Sequence, residues 1–285
     1  MDKFEETKKA SLLGILGNIF LLVIKGTIGF ITKSQAMIAD TANSAGDIFA
    51  SVMTSIGNKI ASEPKDDSHN FGHGKAEYIF SLFISISMII IATKLLYDSA
   101  YSLINHNIVE FSWFLVLVCI VTIVVKFLLF IYTDKLCKKY NSILLEANSK
   151  DHRNDCFVTS FTLISVLANL IGIHWLDGIV GSGISIWIII TGAKIFLDSF
   201  NILMDKSLDE DTKDLILNII KNFDDVQSIS SFYTAPVGYE YLVVLTICVD
   251  GNMTTFDSHK LADTLEHEIN KLNKIYSTTI HVNPI

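Results

Sequence analysis

Six apolar stretches, each long enough to cross a bilayer, leave this chain few choices of fold. They run from about Ala10 to Phe30, Ala36 to Ala61, Ala76 to Ile104, Val109 to Leu136, Ile143 to Gly172 and Leu176 to Met204. A membrane helix needs roughly 20 apolar residues, so each stretch predicts one helix. Composition agrees, since 50% of the 285 residues are apolar and only three are proline, too greasy a mixture for a soluble domain of this size. Several stretches exceed the span, which predicts that their cytosolic ends project beyond the bilayer. Lys3, Lys8, Lys9, Lys59, Lys65, Lys75, Lys135, Lys138 and Lys139 fall on one side, with Lys33 the clearest case on the other. That bias places both termini in the cytosol. The N-terminus lacks the short apolar core and cleavage site of a signal peptide, so the first stretch is expected to remain as a helix. The outer connections near Asn105-His106-Asn107 and Ile173-His174-Trp175 are short and favour antiparallel neighbours.

After Met204 the pattern changes. A helical stretch (Thr212 to Asn222), two strand-like runs (Val226 to Thr234, Tyr239 to Asp250), an amphipathic helix (Ser258 to Leu272) and a last strand (Ser277 to Asn283) predict a compact soluble α+β module. The expected organisation is therefore a six-helix transmembrane domain over residues 1–204, including a cytosolic loop at 63–77, and a cytosolic domain over 205–285. The net charge of −8 argues against nucleic acid as a partner. Cys119, Cys137, Cys156 and Cys248 are scattered without CxxC spacing, so neither a disulfide framework nor a thiolate zinc site is indicated.

Two of the apolar stretches are interrupted by acids. Asp151 and Asp155 stand four residues apart in the fifth stretch, a spacing that stacks both carboxylates on one helical face. Unpaired and ionised in hydrocarbon, each would cost on the order of 3 kcal/mol. A cation, a proton or a water-filled cavity must compensate. The second stretch carries a counterpart at the same spacing, Asn43 and Asp47. Two such pairs in different spans are hard to explain as helix packing. Set face to face they form a group of one amide and three carboxylates, and oxygen-only ligands suit Mn²⁺, Mg²⁺ or Ca²⁺ better than Zn²⁺. Asp40, one turn before Asn43, reads equally well as structural or as part of the cavity. Arg153, the only arginine, leaves from another face and reads as solvated or headgroup-facing, and His152 reads as a boundary residue. A second cluster lies in the loop after the second stretch, where Asp66, His69 and His73 offer three ligands to a borderline metal such as Zn²⁺. A solvated loop is the other reading of that cluster.

Taken together, the chain resembles the cation diffusion facilitators, proton-coupled exporters of divalent metals. The resemblance rests on the six spans, the paired polar residues, Phe71-Gly72-His73-Gly74-Lys75-Ala76-Glu77 opening the third span, Leu203-Met204-Asp205 closing the sixth, and the C-terminal module. It implies a ferredoxin-like fold for that module, a transport site at Asn43, Asp47, Asp151 and Asp155, and a loop site at Asp66, His69 and His73. Zinc members carry histidine or aspartate at the first position of each pair, whereas Asn43 and Asp151 stand there as in members thought to export manganese. The resemblance thus implies Mn²⁺ as cargo, with Fe²⁺ or Zn²⁺ as alternatives, protons as counter-ions, a homodimer and a plasma-membrane location. In the C-terminal module only His259 and His281 remain as ligand candidates, with Thr246 and Asn283 where stronger ligands are expected. Lys75 and Asp205, at the cytosolic ends of the third and sixth spans, are expected to pair across the protomer or dimer boundary and tie the membrane domain to the soluble one. An intramembrane metalloenzyme is disfavoured by the lack of an HExxH motif, so no enzymatic activity is expected. A scaffold subunit would be expected to have lost the polar pairs.

Overall fold

The computed structural model describes residues 3–32, 35–105, 113–169 and 176–285. Among these residues six long helices come first: α1 (Lys3–Thr32), α2 (Gln35–Ala61), α3 (Ala76–Asn105), α4 (Trp113–Tyr140), α5 (Ile143–Asn169) and α6 (Leu176–Leu203). Then follow α7 (Glu210–Lys221), β1 (Ser228–Val237), β2 (Glu240–Val249), α8 (Thr255–Ile269) and β3 (Ile275–Pro284). The chain forms two compact units, one holding the residues up to Ser62 with Ala76–Phe200, the other Glu63–Lys75 with Asn201–Ile285. The loop that the sequence attaches to the helical domain therefore packs with the C-terminal module.

In the helical unit α1 packs on α2 and α4, α2 on α3 and α5, and α5 on α3 and α4. Ile84, Met88, Leu144, Ala147, Ile188 and Ile195 are buried among α3, α5 and α6. Leu16, Val23, Ile90, Leu128 and Ile190 are exposed on the helices' outer faces, as a lipid-facing surface requires. Among the described residues, four helices are long and apolar enough to cross a membrane by composition: α1, α3, α4 and α6. The two that fall short, α2 and α5, bury polar residues, Ser44, Asp47, Ser51, Thr54 and Asn58 on the one and Asn148, Ser149, Asp151, His152 and Asn154 on the other. Close approach of α2 and α3 depends on Gly57, where an added Cβ would lie 2.7 Å from Cβ of Phe80. The ends are fastened by polar contacts. The buried carboxylate of Glu77 on α3 accepts from Lys3 Nζ of α1 at 2.8 Å, from Ser142 Oγ, and from the Leu144 backbone N–H at 3.4 Å. It thereby places an acid at the N-terminus of α5, where the helix dipole favours one.

The second unit is a three-stranded sheet in the order β1-β2-β3, with β1 antiparallel and β3 parallel to β2. β2, the central strand, supplies Val243, Leu245 and Ile247, all fully buried against Ile216 and Ile220 of α7 and Leu265 and Ile269 of α8. The parallel pairing needs a crossover, and α8 provides it. The loop Glu63–Lys75 is fixed here by an edge-on contact of Phe71 with Tyr276 and by a close backbone approach of Gly74 to Gly238. An added Cβ at Gly74 would lie 2.9 Å from Cα of Gly238, and Gly238 itself has φ +64°. Both positions therefore require glycine.

Candidate metal centre

Asp47 of α2 and Asp155 of α5 converge on one small cavity in the helical unit, lined also by Lys25, Thr122, Lys126, Val158 and Thr159. Asn18 of α1 locks α2 in place beside it, donating from Nδ2 to the Asp47 carbonyl at 2.9 Å and to Ser51 Oγ at 3.1 Å. Lys126 stands between the two carboxylates. Its Nζ lies 2.7 Å from Asp47 Oδ2 and 2.5 Å from Asp155 Oδ2, and the residue is only 1% exposed. One ammonium thus bridges acids from two helices. Lys25 of α1 lines the same cavity and adds a second positive residue to its wall.

Asp151 is buried one turn before Asp155, and its Oδ2 has no hydrogen-bond partner among the described residues. His152 is fully buried, and neither ring nitrogen has a hydrogen-bond partner among the described residues. It is therefore not the boundary residue that its neighbours in sequence suggest. One ligand atom from each of Asp151, His152 and Asp155 lies within 4.8 Å of the others. Arg153 also departs from the expectation, since its guanidinium is half-buried over the Trp187 ring of α6, 4.4 Å from the ring centre. The fourth expected ligand, Asn43, and its neighbour Asp40 lie on α2 with side chains outside the described residues, and the two short outer connections and Lys33 also lie outside them.

In the second unit, Asp66, His69 and His73 form a group whose ligand atoms lie within 4.8 Å of one another. Asp66 Oδ1 accepts from the backbone N–H of Ser68 at 2.9 Å and of His69 at 2.6 Å, and it lies 3.1 Å from His69 Nδ1. These bonds, led by the His69 backbone N–H, hold the Asp66 carboxyl below its usual range. His73 Nδ1 lies 3.2 Å from the Pro64 carbonyl. Donation there fixes the tautomer and leaves Nε2, 3.7 Å from Asp66 Oδ2, as the ligand atom. His259 and His281 join no such group among the described residues; His259 is exposed and pairs with Asp263 on its own helix at 3.5 Å. Lys75 Nζ donates to Asp205 Oδ1 at 2.8 Å, but the pair lies within one chain and both residues belong to the second unit, so the expected pairing across a protomer boundary and between domains is replaced by a contact inside the module.

Lys126 is the residue that the sequence reading missed. Its signal was present: a lysine midway along α4, whose most apolar 18-residue window has a mean hydropathy of 3.1 against 2.3 for the next most apolar span. A charge in that setting points to a functional position by default.

A bundle of long apolar helices, followed by an α+β module, defines a multi-pass membrane protein with a C-terminal domain outside the bilayer. Residues 11–204 match the cation efflux transmembrane domain and residues 208–285 the cytoplasmic domain of cation efflux proteins. The chain belongs to this family, the cation diffusion facilitators, and is a divalent-cation efflux transporter rather than an enzyme, with its C-terminal domain in the cytoplasm. It is 30% identical over 97% of its length to an uncharacterized transporter of Methanocaldococcus jannaschii, covering 98% of that protein. It is 27% identical to the manganese efflux system protein MneP of Bacillus subtilis, over 99% of this chain and 98% of that one. The magnetosome protein MamB of a Magnetospira species is 28% identical over 94% of this chain and 92% of its own. Among solved structures, the metal-bound C-terminal domain of the CzcD transporter from Thermotoga maritima is 32% identical, covering 26% of this chain and 87% of that one with a TM-score of 0.26.

Proposed function

We propose that the chain is a homodimeric, proton-coupled exporter of Mn²⁺ in the plasma membrane, with Asn43, Asp47, Asp151 and Asp155 as the transport site. The observation that carries this reading is the convergence of Asp47 and Asp155, from different helices, on one ammonium inside the helical unit. A group of carboxylates that can share one cation can share another. Hard oxygen ligands favour Mn²⁺, with Fe²⁺ next in the divalent series, over a metal that prefers nitrogen. The relatives named as manganese efflux proteins support the same cargo. Asp66, His69 and His73 form a separate cytosolic metal site, and the C-terminal module joins two protomers. One observation favours Zn²⁺ as a second reading: His152 places an imidazole within reach of the same ion.

Uptake of Mn²⁺, Fe²⁺ and Zn²⁺ into reconstituted vesicles tests the choice. The wild type should carry Mn²⁺ or Fe²⁺ faster than Zn²⁺, and replacing Asn43 and Asp151 with histidine should shift the preference toward Zn²⁺. Fast Zn²⁺ flux without Mn²⁺ flux in the wild type, abolished by His152→Ala, would establish the second reading instead.

A further inference from the structure

Lys126 occupies the oxygens that the cargo would use. Its ammonium holds Oδ2 of Asp47 and Oδ2 of Asp155 at once, in a setting where it is 1% exposed. Charge-assisted hydrogen bonds of this kind are about twice as strong as neutral ones, and a divalent ion drawn to both carboxylates must break them. The side chain has somewhere to go. Thr122, one turn earlier on α4, lines the same cavity, and its Oγ1 is buried without a hydrogen-bond partner among the described residues. Long side chains on a helix lean toward the preceding turn, so a four-carbon stem can swing its head from the carboxylates to that hydroxyl.

We propose that Lys126 is a tethered cation that exchanges with the metal. Its ammonium bridges Asp47 and Asp155, yields them to the incoming ion while Thr122 receives it, and takes them back as the ion leaves. The residue therefore limits affinity and speeds release. This inference rests on the assignment of Asp47 and Asp155 to the transport site. It gives the efflux reaction a specificity-determining residue on a third helix.

The test is Mn²⁺ binding to the full-length protein in lipid nanodiscs, counting only the binding that Asp155→Asn removes, together with Mn²⁺ flux in vesicles. Lys126→Met deletes the competitor, so Mn²⁺ should bind roughly tenfold tighter or more while flux falls through slower release. Lys126→Arg keeps the charge in a planar fork that grips carboxylates bidentately, so it should bind Mn²⁺ more weakly than the wild type. A merely structural lysine would move both variants in the same direction. Unchanged or weaker Mn²⁺ binding in Lys126→Met overturns the inference. Should Lys126→Met not fold, Lys126→Arg decides, and Mn²⁺ binding as tight as in the wild type, or tighter, overturns it. If Asp155→Asn removes no Mn²⁺ binding, the transport-site assignment itself fails, an outcome distinct from a failure of exchange.

Discussion

At the scale of single residues, the acids and the lysine of the helical unit have to be considered together. Removing one partner of a buried ion pair costs about 3–5 kcal/mol, because the other charge is left unsatisfied. Asp155→Ala leaves Lys126 with Asp47, so its stability loss should fall at the low end of that range while metal flux disappears. Adding Lys126→Met then leaves the buried Asp47 carboxylate without its ammonium, so it should cost further stability and restore no flux. Thermal unfolding in detergent and vesicle flux, measured on the same preparations, separate the two effects; recovery of flux in the double variant would take Asp155 out of the transport site. The acids were legible in the sequence because paired carboxylates in an apolar run require an explanation, and their spacing of four put them on one face. Lys126 was legible in principle, but a tally of lysines near the ends of spans passes over one in the middle. The burial of His152 was not legible at all, since which face of α5 meets α1 depends on packing: Gly14 leaves the room that His152 Nε2 and Ser51 occupy, and no local pattern states it.

Elements were easier to read than their surroundings. The six helices and the order helix, strand, strand, helix, strand follow from apolar run length and periodicity, and the structure places the module's elements within a few residues of the expected limits. What the sequence could not show is that Glu63–Lys75 packs with the C-terminal module, because that attachment depends on Phe71 meeting Tyr276 and Gly74 meeting Gly238, residues far apart in the chain. Within the module, α7 depends on its first residue boundary. Asp209 is its N-cap, accepting from the Thr212 backbone N–H at 3.1 Å, and it also pairs with Lys274 at 2.8 Å. The Lys274 hydrogen bond, ahead of those from Thr212, pulls the Asp209 carboxyl down to about 2. A folded-state pKa below the unfolded value of about 3.9 means that this contribution is fully present above pH ~4 and is lost as pH falls toward 2. Asp209→Ala should therefore destabilise the module by about 1 kcal/mol near neutral pH, a usual cost for a lost N-cap. The gap between wild-type and variant unfolding midpoints should close as pH falls from 4 to 2; a gap that stays constant through that window would show that the ionised carboxylate contributes nothing.

At the scale of the whole molecule the chain leaves the second unit after Lys75 to begin α3 and returns to it after Phe200, within the last turn of α6. Lys75 and Asp205 stand beside those two crossing points and are joined at 2.8 Å. Asp205 has φ 55°, a left-handed conformation that aspartate tolerates better than most residues, and it turns the chain out of α6. The side chains are 41% and 62% exposed, so as an isolated surface pair they would contribute no more than about 1 kcal/mol of stability. If their value lies in coordination, flux should suffer more than stability does. Lys75→Asp and Asp205→Lys should each leave the unfolding midpoint within a few degrees of wild type while lowering metal flux severalfold, because like charges then face each other at the crossing. The exchanged double variant restores an opposite-charge pair and should recover most of the flux. A double variant no faster than the slower single one would show that the two residues act independently, as a helix cap and a solvated lysine.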